Sequence, residues 1–524
     1  MAKKNKIYIK QWLELKPYLK QVKTDFYYLG LCNKVKDALV FVDNKSGDLG
    51  LYDEEIDTIS CMLVSYFEDI ISQTNIWATF VKLHDKMYGK KLPFYDVPEY
   101  FDDEINETDV KFLLWYSIHI LTDEIEDDPF NEFVIAAASK VMKIFDEVYE
   151  YAPENEDLKK EYFIDDSETD FYVFREFAGR IVFNSYLFFP DTANELNSLI
   201  EDLLEEGFES ENHAMTLMNS TRDTYLLTLH TKLLSLKANE WAAHLLDEDH
   251  PMFKNLMDMG DKFTGYFINK SEDDENIVLE HIASGREFKV TKKSIDHLEM
   301  FKEKGIVVLI GLAKWMGEWW FSGMFGAFNV AESLKIIKEE KNNMSSSKTL
   351  PWTEEQKRKA KDFTQKQEEA FLKFNKGSRL VFMPKYELND YIYFFTKYFN
   401  KLQGGKDESP KSKINIGKDD VEETVVMFFN PKSGIEIAFM PNAFPSKENK
   451  TFDEYESDED TYALMYSSDI STELSNYCID NYKDKLEFFK TDFGKLFLEN
   501  SDFLLRFWKG SNYHTNFELS FSNK

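Results

Sequence analysis

The sequence predicts an α+β protein, and three observations carry that prediction. Up to about residue 258 apolar residues recur at helical spacing; between Gly265 and Phe325 short apolar or alternating runs are cut by turn formers; beyond Pro351 helical and strand-like stretches alternate. The expected organisation is a helix-rich region over 1–258, with 1–155 and 156–258 as optional sub-units. A small β-barrel of the SH3-like or OB-like kind follows over 259–328. A helix and linker fill 329–350, and an α+β unit occupies 351–524.

The chain opens with an extended piece at Ile7-Tyr8-Ile9 and breaks at Pro17. Thr24 suits an N-cap for a helix over 24–41, because its hydroxyl can accept from a free first-turn N–H, and Tyr27, Leu31, Val35 and Leu39 then share one face. Residues 44–50 end it. Ile56, Ile59, Leu63, Phe67 and Ile70 mark a helix over 53–74, continued by another over 76–88; Pro93 and Pro98 bracket a loop. Further helices are expected over 109–121, 130–151, 170–189, 192–206 and 213–246, punctuated by Pro190 and Gly207.

In the β region, runs at 266–268, 277–282, 288–290, 306–312 and 319–324 are separated by turn residues, giving four or five short strands. Ser284-Gly285 places a hairpin over 279–290, since glycine takes positive φ without a steric penalty. Strands this short bury little alone, so a sheet that curls and removes its own edges is the economical solution. A helix over 329–341 and a serine-rich linker over 342–349 follow. Thr353 and Gln356 read as a capping pair opening a helix to about 374. A strand over 378–383, a helix over 387–402, an exposed loop over 404–420 and a hairpin over 421–440 come next. The acids between Asp453 and Asp460 read as a solvated loop, lacking calcium-loop spacing and its glycine. Helices over 471–481 and 483–489 and an apolar stretch over 503–508 complete the unit.

Composition excludes several function classes. A net charge of −32 disfavours a duplex nucleic-acid surface, because each phosphate contact needs a basic group. Three widely spaced cysteines, Cys32, Cys61 and Cys478, suggest neither a disulfide framework nor a cysteine zinc site. The start lacks a continuous apolar core and the longest apolar run is too short to span a bilayer, so no membrane association and a cytoplasmic location are expected. The phosphate loop, dinucleotide fingerprint and nucleophile elbow are absent as motifs, and no cofactor is expected.

Three constellations invite a functional reading. Trp315, Trp319 and Trp320, with Phe321 and Phe325, could form an aromatic platform on the barrel rim. The competing reading is that alternate residues fill the barrel while the others dock it on neighbouring helices. Arg286, Lys289, Lys292 and Lys293 make a basic strip that either touches single-stranded nucleic acid or, with Glu287, Asp296 and Glu299, forms a solvated mixed face. Glu240, His244 and Asp247 share a helical face at i, i+4 and i+7 and offer a divalent cation one imidazole and two carboxylates, or are simply a solvated face.

The strings QWLELKPY and TDFYYLGLCNKV near the start, DDEINETDVKFLLWY in the second helical block and NSDFLLRFW near the end together resemble an uncharacterised protein family of gut Bacteroidetes, a domain of unknown function. The resemblance implies a bacterial, cytoplasmic protein and transfers no catalytic residue. The leading expectation is a non-catalytic binding or scaffold protein with a protein partner, recognised through Trp315, Trp319, Trp320 and Arg286. The alternatives are a metal-dependent hydrolase using Glu240, His244 and Asp247, and single-stranded nucleic-acid binding through Lys292 and Lys293.

Overall fold

The computed structural model describes residues 6–46, 51–122, 128–205, 207–208, 211–260, 262–341, 343, 350–404 and 423–513. The chain divides into two compact units, the first comprising Met1–Thr231 and Leu236–Pro351, the second Lys232–Ser235 and Trp352–Lys524.

The first unit is helical to residue 257. Its elements are α1 (Ile9–Glu14), α2 (Asp25–Ser46), α3 (Asp53–Ser72), α4 (Ile76–Tyr88), α5 (Glu107–Thr122), α6 (Glu132–Asp146), α7 (Glu156–Glu161), α8 (Phe171–Asn184), α9 (Asn194–Glu205), α10 (Glu211–Thr228), α11 (Ala238–Leu246) and α12 (Phe253–Met257). Helix α3 is buried without interruption from Ile59 to Asp69, so it is the centre of the helical layer. Asp57, Glu68 and Asp69 are buried with it and therefore need partners. Asp69 accepts from the Trp77 N–H at 2.8 Å and the Tyr186 hydroxyl at 2.8 Å, tying α3 to α4 and the segment after α8. Glu68 is paired with the buried Lys16 ammonium.

Five strands follow: β1 (Phe263–Glu272), β2 (Asn276–His281), β3 (Glu287–Thr291), β4 (Val307–Trp315) and β5 (Glu318–Ala327). They form a mixed sheet in the order β1-β2-β3-β5-β4, and β4 pairs back with β1, so the ring of pairings closes. All neighbours are antiparallel except β3 and β5, which meet in parallel at Val290 and Trp319. Alternation along the strands sends Phe263, Phe267, Ile277, Leu279, Phe288, Val290, Ile310 and Leu312 into a common interior. Gly265 has no side chain for a reason: a Cβ there would lie 2.9 Å from His281 Nε2. The β4–β5 turn uses Met316 at φ 49° and Gly317 at φ 83°, the paired positive φ of a tight hairpin turn. Helix α13 (Val330–Glu340) then packs on β4, and Leu350 enters the sheet's interior.

The second unit contains α14 (Glu354–Phe374), β6 (Leu380–Pro384), α15 (Leu388–Leu402), β7 (Thr424–Asn430), β8 (Gly434–Ala438), α16 (Ser457–Tyr466), α17 (Thr472–Tyr482), α18 (Asp492–Glu499) and α19 (Ser501–Trp508). Its antiparallel sheet runs β6-β7-β8, with α14 and α15 packed on it through Phe371, Phe395 and Phe399 against Val425, Met427 and Phe429.

Several elements differ from the expectation. The helix expected over 213–246 is two, because Leu234 and Ser235 adopt left-handed φ of 58° and 55° between α10 and α11. Ile9 opens α1 where an extended stretch was expected. The acidic run is only partly loop: Ser457 to Asp460 form the first turn of α16, where carboxylates complement the free N–H groups of a helix start. The helix expected over 483–489 is reduced to a 3-10 turn at Phe488–Lys490. The linker over 342–349 and the loop over 404–420 fall, apart from Asn343 and Gly404, outside the described residues.

Candidate functional site

A cleft of the first unit has a volume of about 690 Å³ and lies between α8, α10, β5 and the connection from β3 to β4. Asp170 caps α8 by accepting from Tyr172 N at 2.8 Å, which fixes where its first turn begins. From there Tyr172, Arg175, Glu176 and Gly179 line the cleft at i, i+3, i+4 and i+7. Helix α10 repeats that spacing with Asn219, Arg222, Asp223 and Leu226. Strand β5 contributes Phe321, Gly323 and Phe325, alternate residues of one strand face. The β3–β4 connection adds Ser294, Ile295, Asp296, His297 and Phe301.

A buried charge network fixes the floor. Arg175 Nη1 donates to Asp223 Oδ1 at 2.9 Å, and Lys262 Nζ stands 3.0 Å from Asp223 Oδ2. Ser322 Oγ donates to Asp223 Oδ2 at 2.7 Å, so strand β5 joins the network. Lys262 Nζ also donates to Ser220 O at 3.2 Å. Burial pushes the Lys262 amine below its usual range, and the Asp223 carboxylate works against that. Gly323 holds φ at 82°, and a Cβ there would strike both Lys262 Nζ and Asp223, so glycine is required twice over.

Both cleft arginines are stacked. The Arg175 guanidinium carbon lies 5.0 Å from the Tyr172 ring centre, and that of Arg222 lies 5.7 Å from the Phe183 ring centre. Stacking covers a guanidinium's face and leaves its edge free to donate. Among the described residues Glu176, Arg222 and Asp296 form no ion pair. The cleft hydroxyls are structural: Ser294 Oγ donates to Thr291 O at 2.7 Å and accepts from Phe321 N at 3.0 Å. The Tyr172 hydroxyl stands 2.8 Å from the carbonyl oxygens of Ser294 and Phe321, and burial raises its pKa.

The tryptophans singled out from sequence lie elsewhere. Trp315 and Trp320 are 1% and 5% exposed and pack on α8, Trp315 at 5.3 Å from Phe174 and Trp320 at 5.7 Å from Phe171. Trp315 Nε1 donates to Thr169 O at 3.0 Å. Trp319 points the other way, edge-on to Phe263 and Phe288 of the sheet interior. No exposed tryptophan rim results; alternate residues fill the sheet and dock it on the helices. Arg286 stacks on Phe288 and donates to Pro351 O at 2.8 Å, holding the end of the first unit. Lys292 and Lys293 are paired with Glu272 and Glu318.

Glu240, His244 and Asp247 each have a separate partner. Glu240 accepts from Lys237 N, closing the N-terminal turn of α11, and Asp247 pairs with Lys82 at 2.8 Å. His244 packs against Phe253, and burial lowers its pKa. Among the described residues no group of three His, Cys, Asp or Glu side chains is placed to hold a metal ion.

Residues 6–290 match one family model, described as Protein of unknown function (DUF3843). The match takes in α8, α10 and Lys262 but ends before β4 and β5; of the strings that suggested such a family, the one at 500–508 lies outside it. No curated protein and no solved structure matches the chain. No described helix is long and apolar enough to cross a membrane.

Proposed function

The chain belongs to the DUF3843 family of proteins of unknown function, and we propose that it is a non-catalytic binding protein that captures a polypeptide segment of a protein partner in the α8–α10–β5 cleft. The observation that carries this reading is the presentation of charges of both signs, Glu176, Arg222 and Asp296, with no ion-pair partner among the described residues, around an aromatic trough whose floor is held by the Asp223 ion pairs. A polypeptide offers both signs of charge and apolar side chains at close spacing, and a cleft of about 690 Å³ accommodates a few of its residues. The cleft hydroxyls are held by backbone groups, which favours capture over chemistry. In this reading recognition moves from the tryptophans to the cleft, and the sheet is a small barrel closer to the OB-like kind, given its β1-β2-β3-β5-β4 order. A bacterial cytoplasm, within the gut Bacteroidetes, remains the proposed setting.

The test is a photo-crosslinking amino acid at Asn219, inside the cleft, compared with the same group at the exposed Lys335 on α13. The expected outcome in the native host is a defined protein adduct from position 219 alone. Equal labelling at both positions, or none at either, would sink the reading.

A further inference from the structure

Resting on that reading of the cleft, we propose that the captured segment presents a carboxylate to the stacked arginines Arg175 and Arg222, with an apolar or aromatic neighbour lying against Phe321 and Phe325. Each arginine keeps donors that its present contacts do not use. Arg175 is held by Asp223 and Ser322 through Nη1 alone, and its guanidinium is braced on the Tyr172 ring. Its remaining N–H groups have no acceptor among the described residues, although its side chain is 28% exposed. Arg222, one residue from the carboxylate that holds Arg175, is braced on Phe183 and has no carboxylate partner among the described residues. A guanidinium pre-oriented in this way loses little entropy on binding, and its planar fork matches a planar carboxylate with two parallel hydrogen bonds.

The floor charge points to the same ligand sign. Arg175 and Lys262 share one carboxylate, Asp223, so two potential cations face a single anion. An incoming carboxylate gives the Arg175 guanidinium a second acceptor at the donors that Asp223 and Ser322 leave free. A phosphate fits less well, because its second negative charge would meet Glu176 and Asp296 on the same cleft and the field of a chain whose net charge is −32. The apolar half of the ligand follows from Phe301, Phe321 and Phe325: Phe325 stands 5.2 Å from Phe301 and edge-on to Phe321, leaving a ring-lined wall.

Two sources supply a carboxylate: an internal Asp or Glu, and a chain end. Fluorescein-labelled short peptide pools with a fixed Glu-Phe core separate them when prepared with free and with amidated C-termini, beside Gln-Phe and phosphoserine-Phe pools. Binding is read by anisotropy to the full chain and to Arg222→Gln, whose fold is checked by its melting curve. The expected result is at least a tenfold preference for Glu-Phe over Gln-Phe with either terminus, or for free over amidated ends, erased in Arg222→Gln. Equal binding of all these pools overturns the carboxylate inference and leaves peptide capture standing. Tighter binding of the phosphoserine pool also overturns it. If no pool binds while Asn219 still crosslinks to a partner, the inference falls alone; if crosslinking fails too, both readings fall.

Discussion

Asp109 is fully buried at the start of α5, where it accepts from the Tyr66 hydroxyl at 2.6 Å and the Tyr100 hydroxyl at 3.0 Å. These donors favour its charged form, yet burial outweighs them and its pKa is pushed up to about 7. The unfolded chain holds such a group near 3.9, so the folded state binds the extra proton between the two values. The stability this supplies is fully present below about pH 4 and is lost as pH rises through about 7. Asp109→Asn, which cannot titrate, is expected to remove that decline; urea melts at stepped pH should show the gap between wild type and variant shrinking from pH 4 to pH 7. A gap that widens over that interval would show that the hydrogen bonds, not burial, set the titration. The same scale explains the tryptophans. Their clustering was legible, but which way each points depends on strand alternation and on a helix more than a hundred residues upstream, through contacts such as Trp315 with Phe174.

At the scale of elements, α8 carries an unusual choice at Gly179. Glycine in a helix interior costs about 1 kcal/mol relative to alanine. Here an added Cβ would meet Leu226 at 3.6 Å, an ordinary contact, so nothing in the packing forbids it. Gly179→Ala is expected to stabilise the protein by up to about 1 kcal/mol in urea denaturation. A loss of stability would mean that α8 needs the freedom of glycine at the cleft wall. The helices and the β2–β3 hairpin were legible because apolar spacing and turn residues are local signals. The break between α10 and α11 was not, since Leu234 and Ser235 enter left-handed backbone without glycine or proline to announce it. The cleft was half legible. Its i, i+3, i+4, i+7 residues can be read from each helix separately, but only the fold sets Arg175 against Asp223 and both against Ser322.

For the molecule as a whole, the net charge of −32 implies self-repulsion that favours expansion. Raising ionic strength toward 0.15 M shortens the screening length to about 8 Å and weakens that repulsion, while the buried pairs at Asp223 and Glu68 are less screened. The melting temperature is therefore expected to rise with sodium chloride over this range in scanning fluorimetry; a fall would show that surface ion pairs outweigh the general repulsion. The closing residues of the first unit have a different consequence. Leu350 lies in the interior of the five-stranded sheet, and Arg286 grips Pro351. The family match stops at residue 290, before β4, β5 and this plug. The stretch recognisable by descent thus stops short of the strands that β1 and β3 pair with: cut at residue 290, this polypeptide would keep β1, β2 and most of β3 with open edges, and without Leu350 in their interior.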